Sequence, residues 1–147
     1  NDRDLSALAE IIYGSCDIKR QVVENDPKEQ GERALLNFGH TIGHAVEQHF
    51  GYSTFTHGEG VAIGMYKLTS KTEAMGVTAL GTAAKLKIVL EKYNLPITAG
   101  VPREALLHTM SKDKKKQGNS ITLIILEKIG VGVLKKISWQ EMQDYLE

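Results

Sequence analysis

Four polar residues with chemically versatile side chains recur at helical spacing within twelve positions of the chain. They are Arg33, Asn37, His40 and His44, and Glu47 continues the series. At about 100° per residue, an α-helix places the first four within a stripe about 60° wide. The usual polar stripe is the solvated side of an amphipathic helix, built from Lys, Glu and Gln. This stripe instead offers groups that orient substrates, bind metals and carry protons, which favours a functional site.

A third candidate histidine, His57, lies thirteen residues after His44 and directly before another predicted helix. A single loop histidine is most often incidental, but three imidazoles together can hold a zinc ion and leave a coordination position open for substrate. Spacing alone favours His40 and His44 as a chelating pair one helical turn apart. Either His57 or Glu47 would then be the third ligand. Two further histidines are not expected to take part: His49 and His108.

Lysines form a second group of candidates. A basic run, SKDKKKQG, occupies residues 111–118 at the end of the fifth predicted helix. One interpretation is a solvated helix C-terminus, where the helix dipole favours cations. The other is a contact to phosphate or carboxylate, because lysine often pairs with such groups. Lys19 lies among apolar residues of the first predicted helix, and spacing assigns it no role.

Composition narrows the class of partner. The chain has 147 residues, of which 18 are basic and 18 are acidic. This balance provides no net positive surface, so neither nucleic acid nor a membrane is an expected partner. A single cysteine, Cys16, excludes an internal disulfide and a Cys-rich metal cage, and it fits the cytoplasm. We therefore expect a small-molecule partner.

Helices are predicted to position these residues. Apolar side chains recur at helical spacing, and prolines and glycines separate the segments. The predicted helices cover, approximately, residues 5–25, 33–50, 58–76, 82–93 and 102–118. Gly39 and Gly43 each cost about 1 kcal/mol against alanine inside the second of these helices. Their presence indicates close packing against another helix.

The last thirty residues have a different pattern. Short-period β-branched segments at 121–126 and 129–134 predict a β-hairpin that turns at Glu127-Lys128. Ser138 and Glu141 match a capping box, which predicts a terminal helix. The expected fold class is therefore mainly α, with a small β-hairpin near the C-terminus. We expect residues 1–147 to form a single helical domain.

Two uninterrupted segments resemble the signature of a known family. They are RALLNFGHTIGHAVE at residues 33–47 and HGEGVAIGM at residues 57–65. Both closely resemble the 3-dehydroquinate synthases. SCDIK at residues 15–19 and DKK at residues 113–115 occur in the same order in that family. The resemblance covers essentially the whole chain.

The resemblance implies a lyase of the shikimate pathway that depends on NAD and on zinc, or on cobalt in its place. Its substrate is 3-deoxy-D-arabino-heptulosonate 7-phosphate, and its products are 3-dehydroquinate and phosphate. His40 and His57 would be zinc ligands, which departs from the His40/His44 pair that spacing favours. His44 would handle protons and contact phosphate. Other catalytic or substrate-binding residues are implied, with the choice between the last two open: Lys19, Arg33, Asn37, and Lys114 or Lys115.

The resemblance also implies that this chain is the carboxy-terminal, metal- and substrate-binding domain of a longer enzyme. The family's Gly-rich NAD-binding domain is absent from the sequence, so NAD would be bound mainly by that N-terminal domain. The family's third zinc ligand is a glutamate well upstream, and Glu10 stands too close to His40 to be its counterpart. We expect the full-length enzyme to be a homodimer. The isolated chain is expected to bind zinc weakly and to be inactive.

Three other functions stay open. A related sugar-phosphate cyclase, such as a 2-deoxy-scyllo-inosose synthase, would share the histidines and form another product. A protein resembling the iron-dependent polyol dehydrogenases would reduce NAD in net terms, whereas a cyclase returns the hydride. If the chain were a non-catalytic helical interaction domain, replacing His40 or His57 with alanine would leave its zinc affinity unchanged.

Overall fold

The computed structural model describes residues 4–29 and 31–146, with the backbone alone at residues 112–117. The described residues divide into two compact units, and the boundary lies between Leu36 and Asn37. Among them, no helix combines the length and the hydropathy needed to cross a membrane.

The first unit contains helix α1 (Leu5–Asn25) and the loop that follows it. The Asp4 carboxylate accepts the backbone N–H of Ser6 at 2.9 Å and so caps the start of α1. The Asp26 carboxylate accepts the N–H groups of Gly31 at 2.8 Å and Arg33 at 3.1 Å, and closes the loop. No residue of α1 is buried.

The second unit carries the hydrophobic core. Its elements are α2 (His40–His49), α3 (His57–Ala74), α4 (Thr82–Lys92), α5 (Arg103–Gln117), β1 (Ser120–Lys128), β2 (Val131–Ser138) and a 3₁₀-helix (Glu141–Gln143). The largest fully buried side chains include Ile42, Ile63, Leu123, Ile125 and Met142. They come from α2, α3, β1 and the last 3₁₀-helix, so the hairpin and the helices share one core. The expected fold class, mainly α with a C-terminal hairpin, is confirmed.

The predicted continuous helix over residues 33–50 is wrong. A 3₁₀-helix covers Glu32–Asn37, a turn follows, and α2 begins at His40. Gly39 has φ +81°, in the left-handed region that favours glycine and interrupts a helix. A Cβ at Gly39 would lie 2.5 Å from Met65 Cγ. The stripe that joined Arg33 and Asn37 to the histidines therefore does not exist as one helix face.

Close packing of α2 on α3 explains the other glycines near the histidines. A Cβ at Gly43 would lie 2.8 Å from the carbonyl oxygen of Gly60, and one at Gly64 would collide with the carbonyl oxygen of Gly39. The two backbones are thus in direct contact, as the glycines predict. This contact offsets the propensity cost of glycine in a helix.

The hairpin is confirmed, but its turn lies two residues later than predicted. Glu127 and Lys128 belong to β1, and the chain turns at Ile129-Gly130, where Gly130 has φ +84°. A register shift between Leu126 and Lys128 accommodates the extra length of β1.

The predicted terminal helix is wrong, although its capping contacts form. The N–H of Ser138 donates to Glu141 Oε2 at 2.7 Å, and the N–H of Glu141 donates to Ser138 Oγ at 3.2 Å. Only a 3₁₀-helix follows, with bonds between residues three apart. In such a turn residues three apart eclipse one another, which places Met142 and Tyr145 on one side, and both are buried in the core.

Candidate metal centre

Three imidazoles converge where the N-termini of α2 and α3 meet. His40 is the first residue of α2, His44 lies one turn further, and His57 is the first residue of α3. The ring centroids are 5.0 Å apart for His40 and His57, 5.3 Å for His40 and His44, and 5.5 Å for His44 and His57. One ring nitrogen of each lies within 4.8 Å of the other two.

This cluster fits a divalent metal ion. Tetrahedral zinc binds imidazole nitrogens at about 2.0–2.1 Å, which brings the nitrogens to about 3.4 Å from one another. The spacing of up to 4.8 Å is somewhat wider than that. His44 and His57 are exposed, and small rotations of their rings can close the difference. Three histidines with an open side are a donor set typical of zinc sites that receive a substrate.

Hydrogen bonds set which nitrogen two of the rings offer. His40 Nδ1 lies 3.2 Å from the carbonyl oxygen of Phe38. A carbonyl oxygen only accepts, so in the neutral ring this contact favours the tautomer with the proton on Nδ1 and the lone pair on Nε2. His57 Nδ1 lies 3.3 Å from Glu47 Oε2, which has the same effect when the carboxylate is ionised. Such outer contacts are typical of metal-bound histidines, because they fix both tautomer and ring direction.

Spacing suggested Glu47 as a possible third metal ligand, whereas in the structure its carboxylate contacts the His57 ring. The side chain of Glu47 is 9% exposed, whereas that of His57 beside it is 58% exposed. Gly60 of α3 lies against it, and a Cβ there would come within 3.0 Å of Glu47 Cγ. Glu47 therefore supports the His57 ring from inside the protein. Helical spacing could not reveal this role, since it depends on how closely α3 approaches α2.

A capping box holds His57 at the start of α3. The N–H and the hydroxyl of Thr56 both donate to Glu59 Oε2 at 2.8 Å, and Thr56 Oγ1 accepts the N–H of Glu59 at 3.4 Å. The bonds from Thr56 hold the pKa of Glu59 below its usual value. The bonds between Thr56 and Glu59 thus fix the residue at which α3 starts, and they hold the backbone of His57 in place.

Comparison with known proteins decides the family. A family model described as 3-dehydroquinate synthase C-terminal matches residues 1–116. The chain belongs to this family. The 3-dehydroquinate synthase of Clostridium acetobutylicum is 47% identical over 137 residues, which are 92% of this chain and 38% of that protein. The synthase of Enterococcus faecalis is 45% identical over an alignment of 148 positions, gaps included, which covers 99% of this chain and 41% of the relative.

The chain spans about two fifths of the length of these 3-dehydroquinate synthases. Solved structures support the fold. A 2-deoxy-scyllo-inosose synthase with carbaglucose-6-phosphate, NAD+ and Co2+ matches 96% of this chain and 41% of its own, with TM-score 0.79 and 21% identity. A 2-epi-5-epi-valiolone synthase from Streptomyces hygroscopicus with NAD+ and Zn2+ matches 97% of this chain and 39% of its own, with TM-score 0.73 and 19% identity.

The remaining residues that the 3-dehydroquinate synthase signature implies lie in several places. Asn37 is half-buried, belongs to the second unit and precedes His40 by three residues. Lys19 is exposed on α1, in the first unit. The backbone of Lys114 and Lys115 lies in α5, but their side chains are outside the described residues.

Arg33 also lies in the first unit, and its contacts there are local. Its Nη1 donates to the carbonyl oxygen of Pro27 at 2.9 Å, and its Nε lies 4.0 Å from a carboxylate oxygen of Glu29. A common site for Arg33, Lys19 and the histidines stays a prediction. The two histidines that were not expected to take part are exposed and do not belong to the cluster: His49 and His108.

Proposed function

We propose that this chain is the metal- and substrate-binding part of a 3-dehydroquinate synthase. The reaction converts 3-deoxy-D-arabino-heptulosonate 7-phosphate into 3-dehydroquinate and phosphate, in the shikimate pathway. The observation that carries the proposal is the convergence of His40, His44 and His57 in a chain of this family. The 45–47% identity to 3-dehydroquinate synthases favours this reaction over that of the sister cyclases, which match at 19–21%.

His40 and His57 would hold a divalent zinc or cobalt ion through Nε2. The contacts of Phe38 and Glu47 to the other nitrogens support this choice, because both rings then offer a lone pair in a fixed direction. When bound, the ion would polarise a substrate hydroxyl, and NAD would accept and return a hydride. The residues of this chain bind and orient the substrate and move its protons.

His44 would be the residue that handles protons. Its ring lies 5.3 Å from that of His40, on the exposed side of α2, where a bound substrate can reach it. Imidazole changes its charge near neutral pH, so it can accept a proton at one step and return it at another. In its charged form, the same ring would contact the substrate phosphate.

Polar and basic residues would fix the anionic substrate beside the histidines. Asn37 would bind its hydroxyl groups, and Arg33 its anionic groups through a guanidinium suited to paired contacts. Lys19 would contact the carboxylate region, and one of Lys114 and Lys115 another oxyanion. Holding the substrate in one orientation lowers the entropic part of the barrier.

The proposed partner of this chain is an N-terminal NAD-binding domain, and the full-length enzyme would be a cytoplasmic homodimer. The length of the relatives supports the first part, since this chain matches about two fifths of each. An incomplete donor set, with only His40 and His57 from this chain, supports weak zinc binding by the chain alone, because the family's glutamate ligand would come from the preceding part. We therefore expect no turnover by the isolated 147 residues.

Phosphate release tests this function. The 147-residue chain with substrate, NAD and zinc should release none, while a chimera with the N-terminal part of the Clostridium acetobutylicum relative should release phosphate and form 3-dehydroquinate. Robust release by the chain alone would contradict the expected inactivity. A different carbocyclic product from the chimera would indicate a sister cyclase, and net reduction of NAD would indicate a polyol dehydrogenase.

A further inference from the structure

A cavity lies on the side of α2 and α3 opposite to the histidines. It encloses about 270 Å³ and is formed by residues of α2, α3, the loop 97–101 and the start of α5. Val46 of α2 lies about 200° around the helix from His44, and Tyr66 of α3 about 180° from His57. All of its lining residues belong to the second unit. The cavity is therefore separate from the candidate metal centre.

The cavity is lined by apolar and polar groups in similar measure. Ile97, Ala99 and Val101 supply apolar groups from the loop, whereas the apolar helix residues that line the cavity are core residues with 1–2% of their surface exposed. Tyr66 and Ser70, one turn apart on α3, also line the cavity, and both side chains carry a hydroxyl group. Small-molecule sites combine apolar walls with polar groups that fix the orientation of the ligand.

The charge in this cavity comes from Lys67. The residue is half-buried, and it makes no hydrogen bond or ion pair with the residues that the structure describes. Burial lowers the pKa of Lys67, and the positive charge of Lys71 one turn away lowers it further. Among the residues whose side chains the structure describes, no carboxylate lines the cavity. A partly desolvated ammonium group without a counter-charge creates a preference for a bound anion.

We propose that this cavity binds a small organic carboxylate, with its carboxylate at Lys67 and its apolar body against Ile97, Ala99 and Val101. The volume, about 270 Å³, suits a ligand with a single ring, since drug-sized molecules occupy larger pockets. The hydroxyl groups of Tyr66 and Ser70 can donate to the carboxylate beside the ammonium group. None of these residues belongs to the histidine cluster or to the expected substrate-binding set, so the site goes beyond the proposed function.

Fluorine NMR of 4-fluorobenzoate with the 147-residue chain tests the site directly. We expect saturable binding of 4-fluorobenzoate, and binding of neutral 4-fluorobenzyl alcohol that is weaker by roughly tenfold or more. Lys67→Met removes the charge and should weaken benzoate binding by roughly tenfold to a hundredfold. Lys67→Arg keeps a cation and should retain binding. Lys85→Met on the exposed face of α4 is the matched control and should change nothing.

A second variant tests the location independently of charge. Ala99→Phe fills the cavity from the 97–101 loop and should abolish benzoate binding, with thermal unfolding used to verify that the variant is folded. The absence of saturable benzoate binding to the unaltered chain would overturn the proposal. So would benzoate binding that persists in folded Lys67→Met and Ala99→Phe variants, or equal binding of the acid and the alcohol.

Discussion

At the scale of single residues, contacts to one nitrogen of a histidine ring decide which nitrogen remains for a metal ion. The Phe38 carbonyl and the Glu47 carboxylate each engage Nδ1 of one ring, so the direction of the remaining lone pair is built into the fold. The histidines themselves could be predicted from the sequence, because imidazoles are unusual on a solvated helix face. The support from Glu47 could not, because it depends on the contact between Gly43 and Gly60, which brings α3 against α2.

Replacing Glu47 with glutamine should weaken metal binding by roughly tenfold to a hundredfold. The amide keeps the shape of the side chain, but it removes the negative charge that favours Nδ1–H on His57. Competition against a chromophoric zinc chelator measures the affinity. Glu91→Gln, which alters an exposed carboxylate on α4, is the control. Equal affinities for the Glu47→Gln chain and the unaltered chain would show that the Glu47 contact does not orient a ligand.

Replacing His44 separates the two possible ligand pairs. If His40 and His57 are the ligands, His44→Ala should retain most of the zinc affinity, while His57→Ala should lose it. If His40 and His44 form the chelate, His44→Ala should lose as much affinity as His40→Ala. The same chelator competition measures all three variants, with His49→Ala as the control outside the cluster.

At the scale of elements, glycines determine how the helices meet. Hydrophobic periodicity predicted α1, α3, α4 and α5 because each keeps one period between clear breaks. It failed over residues 33–50, where Gly39 takes a left-handed φ inside an otherwise continuous pattern. The short-period pattern misplaced the hairpin turn, and the capping box predicted a terminal helix where a 3₁₀-helix forms. Both outcomes depend on tertiary packing that a local pattern does not contain.

Alanine at Gly64 should destabilise the second unit by about 1–3 kcal/mol, because its methyl group meets the backbone of α2. Urea unfolding followed by circular dichroism measures the free energy of unfolding. Gly58→Ala is the matched control, since a Cβ at Gly58 meets nothing within 4 Å and alanine favours the helix. Equal stability of the Gly64→Ala chain and the unaltered chain would contradict the close contact of α2 and α3.

The start of α4 should make stability depend on pH. Glu73 Oε2 accepts the backbone N–H of Ala83 at 2.7 Å, and this bond, with those from Gly81 and Thr82, lowers the pKa of Glu73 from its ordinary value of 4.5. A lowered carboxyl pKa in the folded state gives stability that is present above the unfolded pKa and lost as pH falls through the folded pKa. Melting temperatures measured from neutral to acidic pH should therefore fall less steeply for Glu73→Gln. If the melting temperatures of the two chains fell equally steeply with pH, Glu73 would not cap α4 as the structure shows.

At the scale of the whole molecule, membership of a sequence family narrows the possible reactions further than the fold does. The fold is shared with cyclases of different products at 19–21% identity, whereas the sequence relatives at 45–47% are 3-dehydroquinate synthases. The chain matches about two fifths of those relatives, and α1 buries none of its residues. The convergence of Arg33 and Lys19 with the histidines stays a prediction.

Anomalous diffraction from crystals of this chain grown with excess zinc tests the central claim most directly. We expect one zinc peak in the cleft where α2 and α3 begin, about 2.0–2.1 Å from ring nitrogens of both His40 and His57. A cleft without a peak, or two histidines bound to separate ions, would contradict the metal centre on which the proposed function depends.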